Sequence, residues 1–318
     1  MGSDLSNPKS IKGKAKRKMI TQRMVLGLVD ASQKHGSSEM KKGYWNTYHC
    51  QNRVHTANGR VFGKYCKNRF CTLCCANRKA DIINRYLPVI KTWEKPYLVT
   101  LTIKSVPFYR LNSVMKCMMS EFRAIVETCR KRNQRGKGIK LIGIRSLESN
   151  FNPAKKTYNP HFHCIVANKL MAEILVNQWQ ERSRPGWTNY QCQNITAIFN
   201  NLTALIEVVK YGSKIFTEPD VTKRSKRNGS EQIYVAALNN IFHSMKGLRI
   251  FERFGFDLPK QTIGNTAPAA VVRDYCEWLF HPEFYDWLNV ENGNPLTNYH
   301  PSKELLNLLN TNIDSLLE

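Results

Sequence analysis

Three groups of residues in this chain have the types and spacing that chemistry needs. The first is His161-Phe162-His163, which runs on into the apolar Cys164-Ile165-Val166. On a strand alternate side chains share a face, so the two imidazoles project together and Phe162 turns the other way. Asn159-Pro160 just ahead disfavours helix and starts an extended run. Two neutral imidazoles so placed can share a divalent ion. Glu148 closes the preceding β-like run, and a hairpin through the intervening loop would bring it alongside His161 as a third ligand. Such a set leaves coordination positions open for phosphate oxygens and water, as Lewis-acid chemistry requires. Mg²⁺, which prefers oxygen, and Mn²⁺, which accepts imidazole more readily, both remain open. The same spacing also describes two unrelated polar residues on a solvent-facing strand.

The second group lies in Ile206-Glu207-Val208-Val209-Lys210-Tyr211-Gly212-Ser213-Lys214. At helical spacing Glu207, Tyr211 and Lys214 share one face. A tyrosine hydroxyl has an ordinary pKa of about 10, so it attacks at neutral pH only beside a cation or a polarised phosphate. Lys214 is placed to hold that phosphate or the developing charge, and Glu207 to act as general base in a second step. A surface Glu207–Lys210 ion pair beside a half-buried tyrosine fits the segment equally.

The third group is Cys66-x4-Cys71-x2-Cys74-Cys75 with Cys50 upstream and His49 and His55 nearby. The short interval between Cys71 and Cys74 suits one turn around zinc, and four thiolates would close a structural tetrahedral site. Cys50, Cys66, Cys71 and Cys74 are the favoured ligands, with His49 or His55 as substitutes and Cys75 as a spare. Reduced cysteines packed in a small core are the alternative. Lys64, Lys67, Arg69, Arg78 and Lys79 surround the cluster, with Tyr65 and Phe70 interleaved, a composition suited to phosphate contacts and base stacking.

The elements that must position these groups follow from periodicity. The first 40 residues read as a mobile basic arm with a short helix at Met19–Val29, and residues 41–92 as a Cys-rich zinc element. Strands are expected at Tyr97–Ile103, Lys140–Glu148 and His161–Ala167, and helices at Asn112–Arg130, Lys169–Arg182 and Asn201–Ser213. This order suits an α+β core over 93–222, a central antiparallel sheet flanked by helices. Residues 223–318 read as a helical C-terminal extension for DNA binding, with helices at Glu231–Met245, Ala269–Leu279 and Ser302–Leu309 and an irregular stretch at Lys246–Phe256.

Composition narrows the partner. Lys and Arg total 48 against 24 Asp and Glu, a net charge of +24, which favours a polyanion over a neutral metabolite. No apolar run approaches the ~20 residues of a membrane span, so the partner is expected to be nucleic acid. The N-terminus does not read as a secretory signal. The ten cysteines are therefore expected to stay reduced and to bind metal, with the cytoplasm as working compartment.

Taken in order, Tyr97-Leu98-Val99-Thr100-Leu101-Thr102, Pro160-His161-Phe162-His163-Cys164-Ile165-Val166 and Glu207-xxx-Tyr211-xx-Lys214 resemble the HUH endonucleases. The likeness is to the rolling-circle plasmid replication initiators that use one tyrosine and a glutamate. It spans Cys66 to about Gly255, and the Leu248–Phe251 to Phe254-Gly255 stretch is similar to a further segment of that family. The Cys cluster is also similar to that family's, although Thr72 stands where a proline is frequent. The resemblance implies a metal at His161 and His163 and attack by Tyr211 on a single-stranded or extruded origin. A 5′-phosphotyrosyl enzyme and a free 3′-hydroxyl would result, with Glu207 activating water at termination. It implies a host helicase and DNA polymerase as partners. An HUH transposase or relaxase shares this chemistry. A non-catalytic zinc-containing DNA-binding regulator is the rival from another class.

Overall fold

The computed structural model describes residues 3–34, 38–213, 233–259, 275–311 and 313–314, with side chains described except at 3–4, 38–39, 210–213, 311 and 313–314. In chain order the elements begin with β1 (Ser3–Asp4), α1 (Pro8–Lys34), α2 (Ser38–Tyr48), β2 (Arg53–Ala57), β3 (Arg60–Gly63) and α3 (Thr72–Ile90). Then come β4 (Tyr97–Thr102), α4 (Phe108–Gln134), β5 (Gly143–Asn152), β6 (Thr157–Val166), α5 (Lys169–Arg182), β7 (Asn194–Ala197) and α6 (Asn201–Ser213). The last are β8 (Ile233–Tyr234), α7 (Val235–Met245), β9 (Phe251–Phe254), β10 (Cys276–His281), β11 (Asp286–Asn289), α8 (Lys303–Thr311) and β12 (Ile313–Asp314). Among the described residues no helix is long and apolar enough to cross a membrane.

The chain divides into two compact units, one of residues 1–77, 214–239 and 260–318 and one of 78–213 and 240–259. The first is built on an antiparallel sheet in the order β1-β3-β2-β10-β11. Its β2–β3 hairpin turns on Asn58-Gly59, both at positive φ, the pairing that a tight two-residue turn demands. Ile11 and Ala15 of α1 pack with Val54, Val61, Phe280 and Trp287 of that sheet.

Three expectations are corrected here. The mobile arm is instead the 27-residue helix α1, whose Met19, Met24, Val25 and Leu28 are buried. It starts on Asn7, whose side chain accepts from Ser10 N at 3.1 Å, with Pro8 in the first turn, where its missing N–H costs nothing. Charge obscured the pattern, because two of the arm's lysines are interior. The C-terminal extension is not purely helical, since β10 and β11 complete the first sheet. In particular Ala269–Leu279 does not form the expected helix where it is described. Cys276, Trp278 and Phe280 alternate along β10, and strand pairing to β2 and β11 overrides helical spacing. The Lys246–Phe256 stretch, read as irregular, carries β9.

The second unit holds an antiparallel sheet in the order β7-β4-β6-β5-β9. Its spine is the β5–β6 hairpin, in register from Gly143↔Val166 to Asn152↔Thr157. On one face Phe162 packs with Phe122 of α4 and Trp179 of α5. Arg145, fully buried on that face, lies over the rings of Phe122 and Phe162 at 5.0 and 5.1 Å and pairs with Glu252. On the opposite face Ile144 and Ile165 meet Leu205, Val208 and Val209 of α6 and Tyr86 and Ile90 of α3. Helices thus cover both faces. The edge strand β9 is followed by Gly255, whose φ is +77° and where a Cβ would sit 1.9 Å from Leu141 O. Gly255→Ala is therefore expected to destabilise the fold by at least about 2 kcal/mol, read as a lower urea midpoint.

Candidate metal centres and the tyrosine helix

The β-ladder decides which side chains meet. Glu148 lies opposite His161, and Ser146 opposite His163, across the β5–β6 pair. On the other side of β6, Thr102 faces His161 and Thr100 faces His163. Strand alternation then puts Glu148, His161, His163 and Thr100 on one face. His161 Nε2 and His163 Nε2 stand 3.3 and 3.2 Å from Glu148 Oε2. One ligand atom from each of the three residues lies within 4.8 Å of the others.

The protons favour a cation between them. His161 Nδ1 is 2.9 Å from Asn159 O, which can only accept, so Nδ1 carries the hydrogen. In neutral His161 the Nε2 lone pair then points at the carboxylate. Glu148 Oε2 is buried and faces the two Nε2 atoms. Burial alone would raise the Glu148 acid, but hydrogen bonds and charge that the two imidazoles supply when protonated outweigh it and hold it down to about 2. An ionised carboxylate facing imidazole lone pairs needs positive charge at its centre. A divalent ion supplies it without moving any of the three side chains, so the residues fit a metal.

Thr100 Oγ1 lies 3.3 Å from His163 Nδ1 and orients that ring. Thr100→Val should weaken Mn²⁺ binding about tenfold, measured by calorimetric titration, because an outer partner that fixes a metal-ligating imidazole contributes that much. The sequence alone assigns Thr100 and Asn159 no role in orienting the imidazoles. The polar positions at Thr100 and Thr102 within Tyr97–Thr102 were the available signal, since they mark the face that leaves the apolar core.

Cys50, Cys66, Cys71 and Cys74 converge in the first unit, with their sulfurs within 4.8 Å of one another. Cys74 Sγ is 3.7 Å from Cys50 Sγ and 3.6 Å from Cys66 Sγ. Four sulfurs at zinc-bond length on a tetrahedron are about 3.8 Å apart. Hydrogen bonding among the sulfurs drives the acidity of Cys66 and Cys74 toward thiolate and that of Cys50 and Cys71 the other way. Backbone amides add donors, Cys66 N to Cys50 Sγ at 3.3 Å and Lys67 N to Cys74 Sγ at 3.2 Å. The alternatives fall outside the cluster. Cys75 Sγ donates to Arg69 O, His49 Nδ1 meets Asn52 Nδ2, and the His55 ring packs on Tyr275.

The interior lysines of α1 were also missed. Lys18 is fully buried, with Nζ donating to Tyr48 O at 2.7 Å and to Asn52 Oδ1 at 2.6 Å. Burial pushes it down to about 8, and Cys50, Cys71 and Cys66 act to keep it charged. Lys14 is likewise lowered to about 8 by burial and by Arg17, with Cys50 opposing. A tetrathiolate zinc centre carries net negative charge, and cations beside it are complementary.

Of the proposed nucleic-acid contacts, Lys64 and Lys67 are exposed, whereas Arg69, Arg78 and Lys79 are half-buried. Phe70 is no stacking surface. It is buried against Tyr44 with ring centroids 4.8 Å apart, and Tyr65 packs on the Cys cluster. Tyr211 falls on the last turn of α6, and Glu207 one turn earlier is half-buried. The Tyr211 side chain and the whole of Lys214 lie outside the described residues. What is described is the seat of the helix. Leu205, Val208 and Val209 pack on Ile144 and Ile165, which share the sheet face of Glu148, His161 and His163.

The class defined by fold and site is an α+β protein with, among the described residues, one four-cysteine cluster and one imidazole–carboxylate triad, each able to hold a metal ion. Its family follows from sequence: the chain is 31% identical over 165 residues to Protein rep of Staphylococcus aureus, an alignment covering 47% of this chain and 69% of that protein. The chain belongs to that Rep family. No family model and no solved structure matches it.

Proposed function

We propose that this chain initiates rolling-circle replication of a plasmid by nicking one DNA strand with Tyr211. The observation that carries the reading is the convergence of Glu148, His161 and His163 on a sheet face over which the Tyr211 helix is seated. Kinship with a protein named Rep and the +24 charge support it. The core around β4, β5, β6 and α6 is then an HUH nuclease, residues 41–92 carry a structural Zn²⁺ on Cys50, Cys66, Cys71 and Cys74, and residues 223–318 take part in origin binding. When bound at the triad, Mg²⁺ or Mn²⁺ supplies Lewis-acid polarisation of the scissile phosphate.

The residues do the rest. Tyr211 Oη attacks phosphorus, and the bond to the 3′-oxygen breaks. The 3′-oxygen leaves as a hydroxyl carrying the proton, while the 5′-phosphate stays on the tyrosine. Lys214 steadies the charge gathering on the phosphoryl oxygens. Glu207 accepts a proton from water in the terminating cleavage, so a single tyrosine suffices. The phosphodiester energy is held in the covalent link, and the 3′-hydroxyl is ready for a host polymerase behind a host helicase. The test is cleavage of labelled single-stranded oligonucleotides tiling the replicon. Cleavage should require Mn²⁺ or Mg²⁺ and vanish in His161→Ala. Cleavage of the same tiles by His161→Ala in chelator would contradict the triad's role.

A further inference from the structure

β4 ends at Thr102, the residue paired with His161. The loop at 183–193, which leads from α5 into β7, stays against that strand. Thr102 N donates to Gln193 Oε1 and Thr102 Oγ1 to Cys192 O, both at 2.8 Å. Thr188 Oγ1 donates to Thr102 O at 2.9 Å, and Lys104 N to Trp187 O at 2.7 Å. Gln193 Nε2 also reaches Asn189 O at 2.9 Å. The loop is therefore pinned beside the triad by hydrogen bonds, although its side chains do not form a core.

What it carries is aromatic and basic. The Trp187 ring is half-buried, with Arg184 Cζ 5.1 Å and Arg110 Cζ 5.8 Å from its centroid. Tyr190 is 59% exposed and Tyr109, beside Arg110 at the start of α4, is 82% exposed. Lys104, Arg110 and Arg184 are all exposed. Rings and guanidinium planes stack on the faces of unpaired bases whatever their sequence, and the same cations meet phosphates. In a duplex those base faces are hidden in the stack.

We propose that Trp187, Arg184, Arg110, Tyr190, Tyr109 and Lys104 form a stacking platform that grips unpaired DNA bases flanking the phosphate presented to Glu148, His161 and His163. The proposal rests on the reading that this triad acts on DNA. It assigns single-strand recognition to residues other than the basic ones around the Cys cluster.

The experiment is fluorescence anisotropy of the full chain with a fluorescein-labelled oligothymidylate of about 20 nucleotides, long enough to cross a single-strand site, without added divalent ion. Trp187→Ala should weaken binding about tenfold and Trp187→Phe only about twofold, as loss and retention of a stacking ring require. Arg184→Glu should weaken it about tenfold and flatten the salt dependence, whereas Lys137→Glu, a reversal in the exposed turn after α4, should change it less than about threefold. Thermal melts establish that each variant is folded. Arg184 is exposed, so its variant carries the test if Trp187→Ala melts early. Folded Trp187→Ala and Arg184→Glu proteins that bind within about twofold of the parent chain would overturn the platform. This readout needs no cleavage, so the two ideas fail separately. Lost binding in the variants beside an uncleaving parent chain supports the platform and sinks the nicking. Unchanged binding beside a nicking parent chain does the reverse.

Discussion

Cys71→Ser is expected to yield a protein that holds no zinc and fails to form its N-terminal unit. Cys71 is fully buried among the other three sulfurs, so a serine there finds neither solvent nor a zinc-grade ligand. A structural zinc contributes on the order of 10–16 kcal/mol to folding, as much as a whole domain's net stability of about 5–15 kcal/mol. Losing one of four ligands therefore removes the unit's main support. Elemental analysis of the purified chain should give one zinc per molecule, and Cys71→Ser should be zinc-free and either insoluble or without a cooperative melt. Cys75→Ser is the control: its sulfur lies outside the tetrad and donates to Arg69 O, and its loss should cost about 1 kcal/mol with zinc retained. A Cys71→Ser protein that keeps zinc and melts like its parent would show that the tetrad is packing and not a metal site.

The second large effect concerns Tyr211. Tyr211→Phe removes one oxygen and leaves the apolar seat of α6 intact, since that seat is made by Leu205, Val208 and Val209. Folding and DNA affinity should be unchanged, while strand cleavage should fall by on the order of 10⁴-fold or more, the usual cost of deleting a covalent nucleophile. His163→Ala should cost nearly as much for a different reason, because it opens the triad, and it should also abolish Mn²⁺ binding. A chain with both changes should be little worse than either alone, since nucleophile and metal act in one step.

Much of this was legible in the residues because its physics is local. His161 and His163 share a face by strand alternation, and a hairpin was the economical way to bring Glu148 to them. The register Glu148↔His161 then follows from the loop between β5 and β6. The Cys50, Cys66, Cys71 and Cys74 set could be chosen from spacing because a tetrahedral site needs four donors and the sequence clusters them. What escaped depends on distant partners. Lys14 and Lys18 look like a solvated basic run until α1 is seen packed on a sheet and next to thiols. Phe70 looked like a base-stacking ring, but Tyr44 buries it. The β2–β3 hairpin was readable and overlooked, with Asn58-Gly59 set between Val54-x-Thr56 and Val61. β10 was not readable locally. Its alternation lasts six residues, and its pairing partners on the β2 side lie more than two hundred residues away.

A covalent bond between Tyr211 and DNA is the central step of the proposed reaction. The direct measurement is a Mn²⁺ incubation with 5′- and 3′-labelled single-stranded oligonucleotides tiling the source replicon, followed by denaturing gels and peptide mapping of any shifted band. The expected adduct carries the label 3′ of the nick, maps to the peptide containing Tyr211, and is absent in Tyr211→Phe. An adduct that survives Tyr211→Phe would contradict the assignment of the nucleophile. Tight binding with no adduct on any tile and with any divalent ion would contradict the nuclease itself and leave a zinc-containing DNA-binding regulator.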